Sequence, residues 1–148
     1  MFEAKVKFLK PNQFIELLPA TPEVTAAALL RFETVMPTEF RDPGFLKTAI
    51  AQGRTIPQVV HVDGRPAYFL TYHNSPDGGL WADVAQRIPG ASHSVASLEL
   101  LAHAFELLAH NSAARYIRFT TARAGLVQVA QSLGYVPEAV LMSKGVQP

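Results

Sequence analysis

Residues 79–135 read GLWADVAQRIPGASHSVASLELLAHAFELLAHNSAARYIRFTTARAGLVQVAQSLGY, and this stretch decides the fold. Leu80–Ala85 has the make-up of a strand and runs into a loop, Gln86–Ser94, that carries Pro89 and Gly90. Val95–His110 is the longest periodic segment of the chain. Within it Leu98, Leu101, Ala102, Phe105, Leu108 and Ala109 recur at helical spacing and predict one broad apolar face, with Leu101 and Phe105 in the core. Tyr116–Thr121 is rich in aromatic and β-branched residues, as a strand should be. Gly125–Leu133 returns to the helical period through Leu126, Val129, Ala130 and Leu133, and Gly134 stands where a left-handed cap is expected. A strand, a crossover helix and a second strand form a βαβ unit whose strands lie parallel.

Upstream, Phe2, Ala4, Val6 and Phe8 alternate with Glu3, Lys5 and Lys7, the period-two mark of a half-buried strand. Pro11–Leu18 reads as a short helical turn between prolines. Thr21-Pro22-Glu23 starts a helix, with Thr as cap and Pro at the first helical position. It runs to about Val35 with Val24, Ala28, Phe32 and Val35 on one face, and Pro37 ends it. Asp42-Pro43 opens a second helix that turns Leu46, Ala49 and Ile50 inward and closes at Gly53. Gln58–Val62 and Pro66–Asn74 are strands joined by Asp63-Gly64, a strong hairpin signal. A looser turn at Ser75–Gly79 leads back into Leu80. Downstream, Ala139–Lys144 is a last strand, with room for a shorter one at Tyr135–Val136. The expected order is β-α-α-β-β-β-α-β-α-β in one domain over residues 1–148. The class is α/β, with a mixed, mostly antiparallel sheet and helices on both faces.

Composition removes several function classes. The chain has 148 residues, enough for a proper core, and 49% hydrophobic against 17% charged residues marks it as globular. A net charge of +1 lacks the footprint of a nucleic-acid binder, and Arg115, Arg118 and Arg123 read as a solvated strand edge. Absence of cysteine excludes disulfides, thiolate metal sites and a cysteine nucleophile. No signal-peptide core and no run of about 20 apolar residues is present, so a soluble cytoplasmic protein is expected. Glu99, His103, Glu106 and His110 share one helical face at spacings that can ligate zinc. They also lie opposite the apolar stripe, where an amphipathic helix puts its polar residues, and no metal is expected.

One constellation points to chemistry. If the Asp63-Gly64 hairpin has a two-residue loop and the next turn spans Ser75–Gly79, then Thr71, His73, Trp81 and Asp83 share a face. A His and an Asp beneath a Trp make a site for general base catalysis; the plainer alternative is polar residues at a strand edge or in a wet groove.

The element order and the closing text, RYIRFTTARAGLVQVAQSLGYVPEAVLMSK at residues 115–144, resemble the GNAT superfamily of acyl-CoA-dependent N-acyltransferases. The resemblance spans nearly the whole chain in topology and concentrates in Tyr116–Lys144, where Gly134-Tyr135 stands at the family's Gly-Phe pair. The chain also resembles small GNAT-like proteins met in phage genomes. The resemblance implies acetyl transfer from acetyl-CoA to an amine. It implies a pyrophosphate loop of pattern Q/R-x-x-G-x-G/A, which Arg87-Ile88-Pro89-Gly90-Ala91-Ser92 meets at Arg87 and Gly90, with Ser92 at the last place. Pro89 has no N–H to donate. The loop can instead be Ser92–Val95, or an ordinary connection with Ser92 or Ser94 as helix cap, so Arg87, Gly90, Ser92, Ser94 and Val95 are the cofactor candidates. The family's base is a carboxylate near the fourth strand, where Asp83 is the one available, and His73 is its companion candidate. Its tyrosine acid lies on the last helix; registered on Gly134-Tyr135, this chain has Ala130 there and Arg123 at the motif's Asn. Two readings follow: an N-acyltransferase using an acyl-CoA and an amine, or a catalytically degenerate GNAT-fold phage protein with a structural or protein-interaction role.

Overall fold

The computed structural model describes residues 6–10, 13–35, 43–91, 98–120, 124–139, 142 and 144–146. Two strands, β1 (Val6–Lys10) and β2 (Gln13–Pro19), form an antiparallel pair with Phe8 and Phe14 in register. Of the helical turn expected at Pro11–Leu18, Gln13–Leu18 is strand, and residues 11 and 12 lie outside the described residues. Period two decides it: Ile15 and Leu17 are buried, while Glu16 and Leu18 between and after them are not. Pro19 is tolerated because it is the last residue of the strand.

Local signals then build the next elements as read. Helix α1 (Pro22–Val35) is capped by Thr21, whose Oγ1 accepts from Val24 N–H at 3.2 Å. Helix α2 (Pro43–Ala51) ends through Gly53 at φ +71°, with Arg54 N–H bonded to Ala49 C=O at 2.9 Å. Strands β3 (Ile56–Val62) and β4 (Arg65–Asn74) are joined by Asp63 and Gly64 at φ +50° and +80°, the two left-handed residues of a type I′ turn. The Asp63 carboxylate also accepts from Phe14 N–H at 3.0 Å and ties this turn to β2.

Strand β5 (Leu80–Arg87) pairs antiparallel with β4, and helix α3 (Leu98–Asn111) leads across to β6 (Ile117–Arg118), which is parallel to β5. The sheet order is β1-β2-β3-β4-β5-β6, mixed and mostly antiparallel. Helix α4 (Ala124–Ser132) closes with Gly134 at φ +95°. Tyr135 N–H bonds Ala130 C=O at 3.0 Å and Gly134 N–H bonds Gln131 C=O at 3.1 Å, the pair of bonds of a Schellman cap. Of the strand expected at Tyr116–Thr121, Ile117 and Arg118 pair with β5, Tyr116, Phe119 and Thr120 are in no strand, and residue 121 lies outside the described residues. Of the last strand expected at Ala139–Lys144, residues 140, 141 and 143 lie outside the described residues. Ala139, Met142 and Lys144 are in no strand, nor are Tyr135 and Val136. Phe2–Lys5 of the first expected strand and Val95–Ser97 of the central helix also lie outside.

The larger core lies between the sheet and α3. Ile15, Leu17, Val60, Val62, Leu70 and Leu80 meet Leu100, Ala104, Phe105 and Leu108 there. The sheet-facing stripe of α3 is rotated from the expected one: Leu100, Ala104 and Leu107 are buried, Leu101 and Ala102 are half-buried, and Leu98 is exposed. The helix is apolar over more than one face, and only part of that surface can meet the sheet. On the opposite side, Leu46 of α2 packs with Val84 of β5, and Leu29 of α1 joins them.

Candidate functional site

Strands β5 and β6 are joined firmly at one end and apart at the other. Their pairing is confined to Leu80 with Ile117 and Trp81 with Arg118. The closed end is clasped by the turn before β5. Arg115 N–H bonds Gly78 C=O at 2.9 Å and Leu80 N–H bonds Tyr116 C=O at 3.0 Å. Tyr116 donates its hydroxyl to the Asp77 carboxylate, and the Arg118 guanidinium lies 3.8 Å above the Tyr116 ring. Arg118 in turn donates to Glu138 at 2.6 Å. Hydrogen bonds from Ser75 and Tyr116 hold the Asp77 carboxyl below its ordinary range.

Past Trp81 the remainder of β5 has no partner on that side among the described residues. A cleft of about 950 Å³ opens there, within the range of small-molecule sites. Its apolar wall is Leu101, Ala102 and Phe105 of α3 with Leu126, Val129 and Ala130 of α4. The half-buried α3 residues are thus accounted for: one part of the apolar face packs on the sheet and another lines this cleft. Asp83, Gln86, Arg87 and Gly90 lie along the β5 side, with Arg31 of α1 above them. Arg31 donates a hydrogen bond to the Arg87 carbonyl. Tyr135 closes the far side, edge-on to Phe119 at 5.2 Å between ring centroids, and burial pushes its hydroxyl pKa up.

His73 and Asp83 come together. The turn at Ser75–Gly79 sets His73 opposite Trp81, their rings parallel to within 2° at 6.4 Å. An unbroken register would then put Asp83 opposite Thr71. A β-bulge instead gives that place to Val84 and leaves Asp83 as the extra residue. Its carboxylate swings to His73, with Nδ1 at 2.7 Å from Oδ2 and 3.0 Å from Oδ1. Thr55 Oγ1 donates to Oδ2 at 2.7 Å, delivered by the cap that ends α2. The Asp83 side chain is 8% exposed and the His73 side chain 40%. A carboxylate only accepts, so the Nδ1 facing it carries the proton, and the lone pair of a neutral ring is on Nε2. Asp83 and Thr55 thus orient an imidazole that is 40% exposed, and of the pair it is Asp83 that lines the cleft.

The loop candidates divide. Ile88 to Ala91 is a β-turn closed by Ala91 N–H to Ile88 C=O at 3.1 Å, with Gly90 at φ +87° in the place a type II turn reserves for glycine. Ile88 N–H is bonded to Ala67 C=O at 2.9 Å. With Pro89 lacking a donor, Gly90 supplies the one uncommitted N–H of Ile88–Ala91. Ser92, Ser94 and Val95 lie outside the described residues. Sequence reasoning missed Thr55 and Arg31, which the cap of α2 and helix α1 bring to β5, and Gln86, which lies in β5 itself and is buried there.

The stripe on α3 is bonded within itself: His103 lies 3.3 Å from Glu106 and 3.8 Å from Glu99. Among the described residues no three His, Asp or Glu side chains come together as a metal site. No helix among them is long and apolar enough to cross a membrane.

No protein-family model and no curated protein matches the sequence. Solved structures match by shape. A GCN5-related N-acetyltransferase from Ralstonia eutropha superposes with a TM-score of 0.61 at 16% identity, over 89% of this chain and 98% of that one. The aminoglycoside acetyltransferase AAC(6')-Iy, in complex with the bisubstrate analogue CoA-S-monomethyl-acetylneamine, gives 0.58 at 14% identity, over 90% and 99%. A transcriptional regulator from Bacillus halodurans gives 0.60 at 11%, over 89% and 99%. The chain has the fold of the GNAT acetyltransferases, with a mixed, mostly antiparallel sheet whose two parallel strands part around a cleft.

Proposed function

We propose that the chain is a single-domain N-acyltransferase that takes an acetyl group from acetyl-CoA and passes it to an amine. The observation that carries this is the parting of β5 and β6 beyond Trp81 around a cleft whose β5 wall holds Asp83. The donor set fits an extended acyl thioester: apolar walls from α3 and α4, polar groups on β5, and two arginines, Arg31 and Arg87, near the turn. Arg87, Gly90, Ser92, Ser94 and Val95 are the proposed cofactor contacts. Two of the three N–H groups of Ile88–Ala91 are already bonded, so within that turn Gly90 is the donor left for a pyrophosphate.

Acetyl-CoA supplies the activated acyl group. His73 Nε2 removes the proton from the attacking amine as its nitrogen bonds the thioester carbonyl carbon and the C–S bond breaks. Asp83, held by Thr55, stabilises the imidazolium that forms. Ala130 stands where the family keeps its tyrosine acid, so the thiolate takes its proton from water. The test pairs calorimetric titration of acetyl-CoA with a thiol-release assay over a panel of amines. Binding below millimolar concentration with turnover that falls in His73→Gln supports the reading. No binding overturns it.

The loss of the tyrosine and the spent donors of Ile88–Ala91 favour a second reading, a non-catalytic GNAT-fold protein, in a phage setting, that uses its surfaces for assembly. Binding without turnover on every amine would favour it.

A further inference from the structure

Gln86 is buried without a partner. It is 8% exposed, and neither Oε1 nor Nε2 has a hydrogen bond. It lies opposite Phe69 in the register, on the α1–α2 side of β5, and it lines the cleft. A buried carboxamide left unpaired is destabilising, and native chains keep few such groups. A mere core position at this place would be filled better by Leu or Met. A group held at such a cost is expected where it meets a ligand.

The geometry points to Gln86 as a binding group that reads an amide of the acyl donor, and this inference rests on the acyl-CoA reading above. Gln86 offers an NH2 donor group and a carbonyl acceptor, and the complement is a group that both accepts and donates. Its place on the strand says which part of the donor it meets. It lies three positions along from Asp83, about 10 Å in an extended chain. With the thioester carbon beside Asp83, a point about 10 Å away falls on the arm behind the sulfur, which carries two secondary amides. Gln86 would therefore select acyl donors with an amide-bearing arm over simple thioesters.

A plainer explanation lies beside it. Thr71 is fully buried and its Oγ1 also lacks a partner. Thr71 sits diagonally across from Gln86, because Thr71 faces Val84 and Phe69 faces Gln86. One buried water could bond both. The two explanations predict opposite signs for one substitution. If Gln86 waits for a ligand, Gln86→Met removes an unpaired buried group, so the free protein melts a few degrees higher while acetyl-CoA binds about tenfold more weakly. If a water bridges Gln86 and Thr71, Gln86→Met strands that water and lowers the melting point.

The experiment is thermal unfolding without ligand and calorimetric titration of acetyl-CoA, on wild type and Gln86→Met. A higher melting point with weaker binding supports the inference. A lower melting point, or unchanged affinity, overturns it while wild-type binding keeps the acyl-CoA reading intact. Absence of binding by wild type overturns both. Should Gln86→Met fail to fold, NMR of the wild type decides: the Gln86 side-chain amide resonances must move on adding acetyl-CoA, and unmoved resonances overturn the inference.

Discussion

Gly79→Ala tests the clasp that holds the closed end of the cleft. A Cβ built on Gly79 would stand 1.9 Å from Tyr116 Cε2 and 2.0 Å from Cζ, where ordinary contact begins at 3.4 Å. The ring must therefore retreat by about 1.5 Å. A free tyrosine would do so easily, but this one is held. Its hydroxyl bonds the Asp77 carboxylate and lies 3.2 Å from Ser75 Oγ, and Arg118 covers its face at 3.8 Å. Overpacking of this kind costs about 1–3 kcal/mol. At about 2–4 °C per kcal/mol for a chain of this size, the melting point should fall by roughly 2–12 °C. Backbone strain adds nothing, since Gly79 is not among the positive-φ residues. The assay is thermal unfolding of Gly79→Ala alone and in a Tyr116→Ala background, a double-mutant cycle. With the ring gone, the alanine should cost less than about 0.5 kcal/mol. A melting point within 1 °C of wild type, or an equal loss in both backgrounds, would refute the reasoning.

Phe105→Ala, which empties a buried aromatic site between α3 and the sheet, should lose about 3–5 kcal/mol, read by denaturant unfolding. His73→Gln should lower turnover by about 10²–10⁴-fold in the thiol-release assay, with acetyl-CoA affinity unchanged. Asp83→Asn should fall by a similar factor, since the amide cannot stabilise the imidazolium; fast turnover that survives either change discards the assignment. Asp77 is held below its ordinary value of 3.8 by Ser75 and Tyr116, so its contribution is full above that pH and is lost as pH falls through the lowered value. The melting-point gap between wild type and Asp77→Asn should be constant near neutral pH and close in acid; a gap that widens in acid contradicts the sign.

How much of this was legible in the sequence follows from the range of each interaction. The α1 cap at Thr21, the α2 end at Gly53, the turn at Asp63-Gly64 and the Schellman cap at Gly134 are all set within a few residues, by steric limits on φ and by nearby donors. Each was readable from the residue types alone. So was the parallel relation of β5 and β6, because a crossover helix of this length leaves no other arrangement. Strand β2 was not readable. Prolines at positions 11 and 19 suggested a turn, and the ladder that makes this segment a strand runs to Val60 and Val62, more than 40 residues away.

The site depended still more on distant partners. Alternation placed His73 and Asp83 on one face, but an unbroken register would have left Asp83 across from Thr71. The bulge that frees its carboxylate arises where two strands of unequal residue count must stay in register, and nothing in the residue types marks it. Thr55 and Arg31 reach β5 from helices folded over the sheet. Gln86 looked like an ordinary loop residue until its burial without a partner was visible. The sequence determined by itself which segments curl, extend or turn, since those choices are made by neighbours along the chain. Which polar groups end up paired, and which are buried and waiting, is decided where distant segments meet, and only the tertiary structure holds that information.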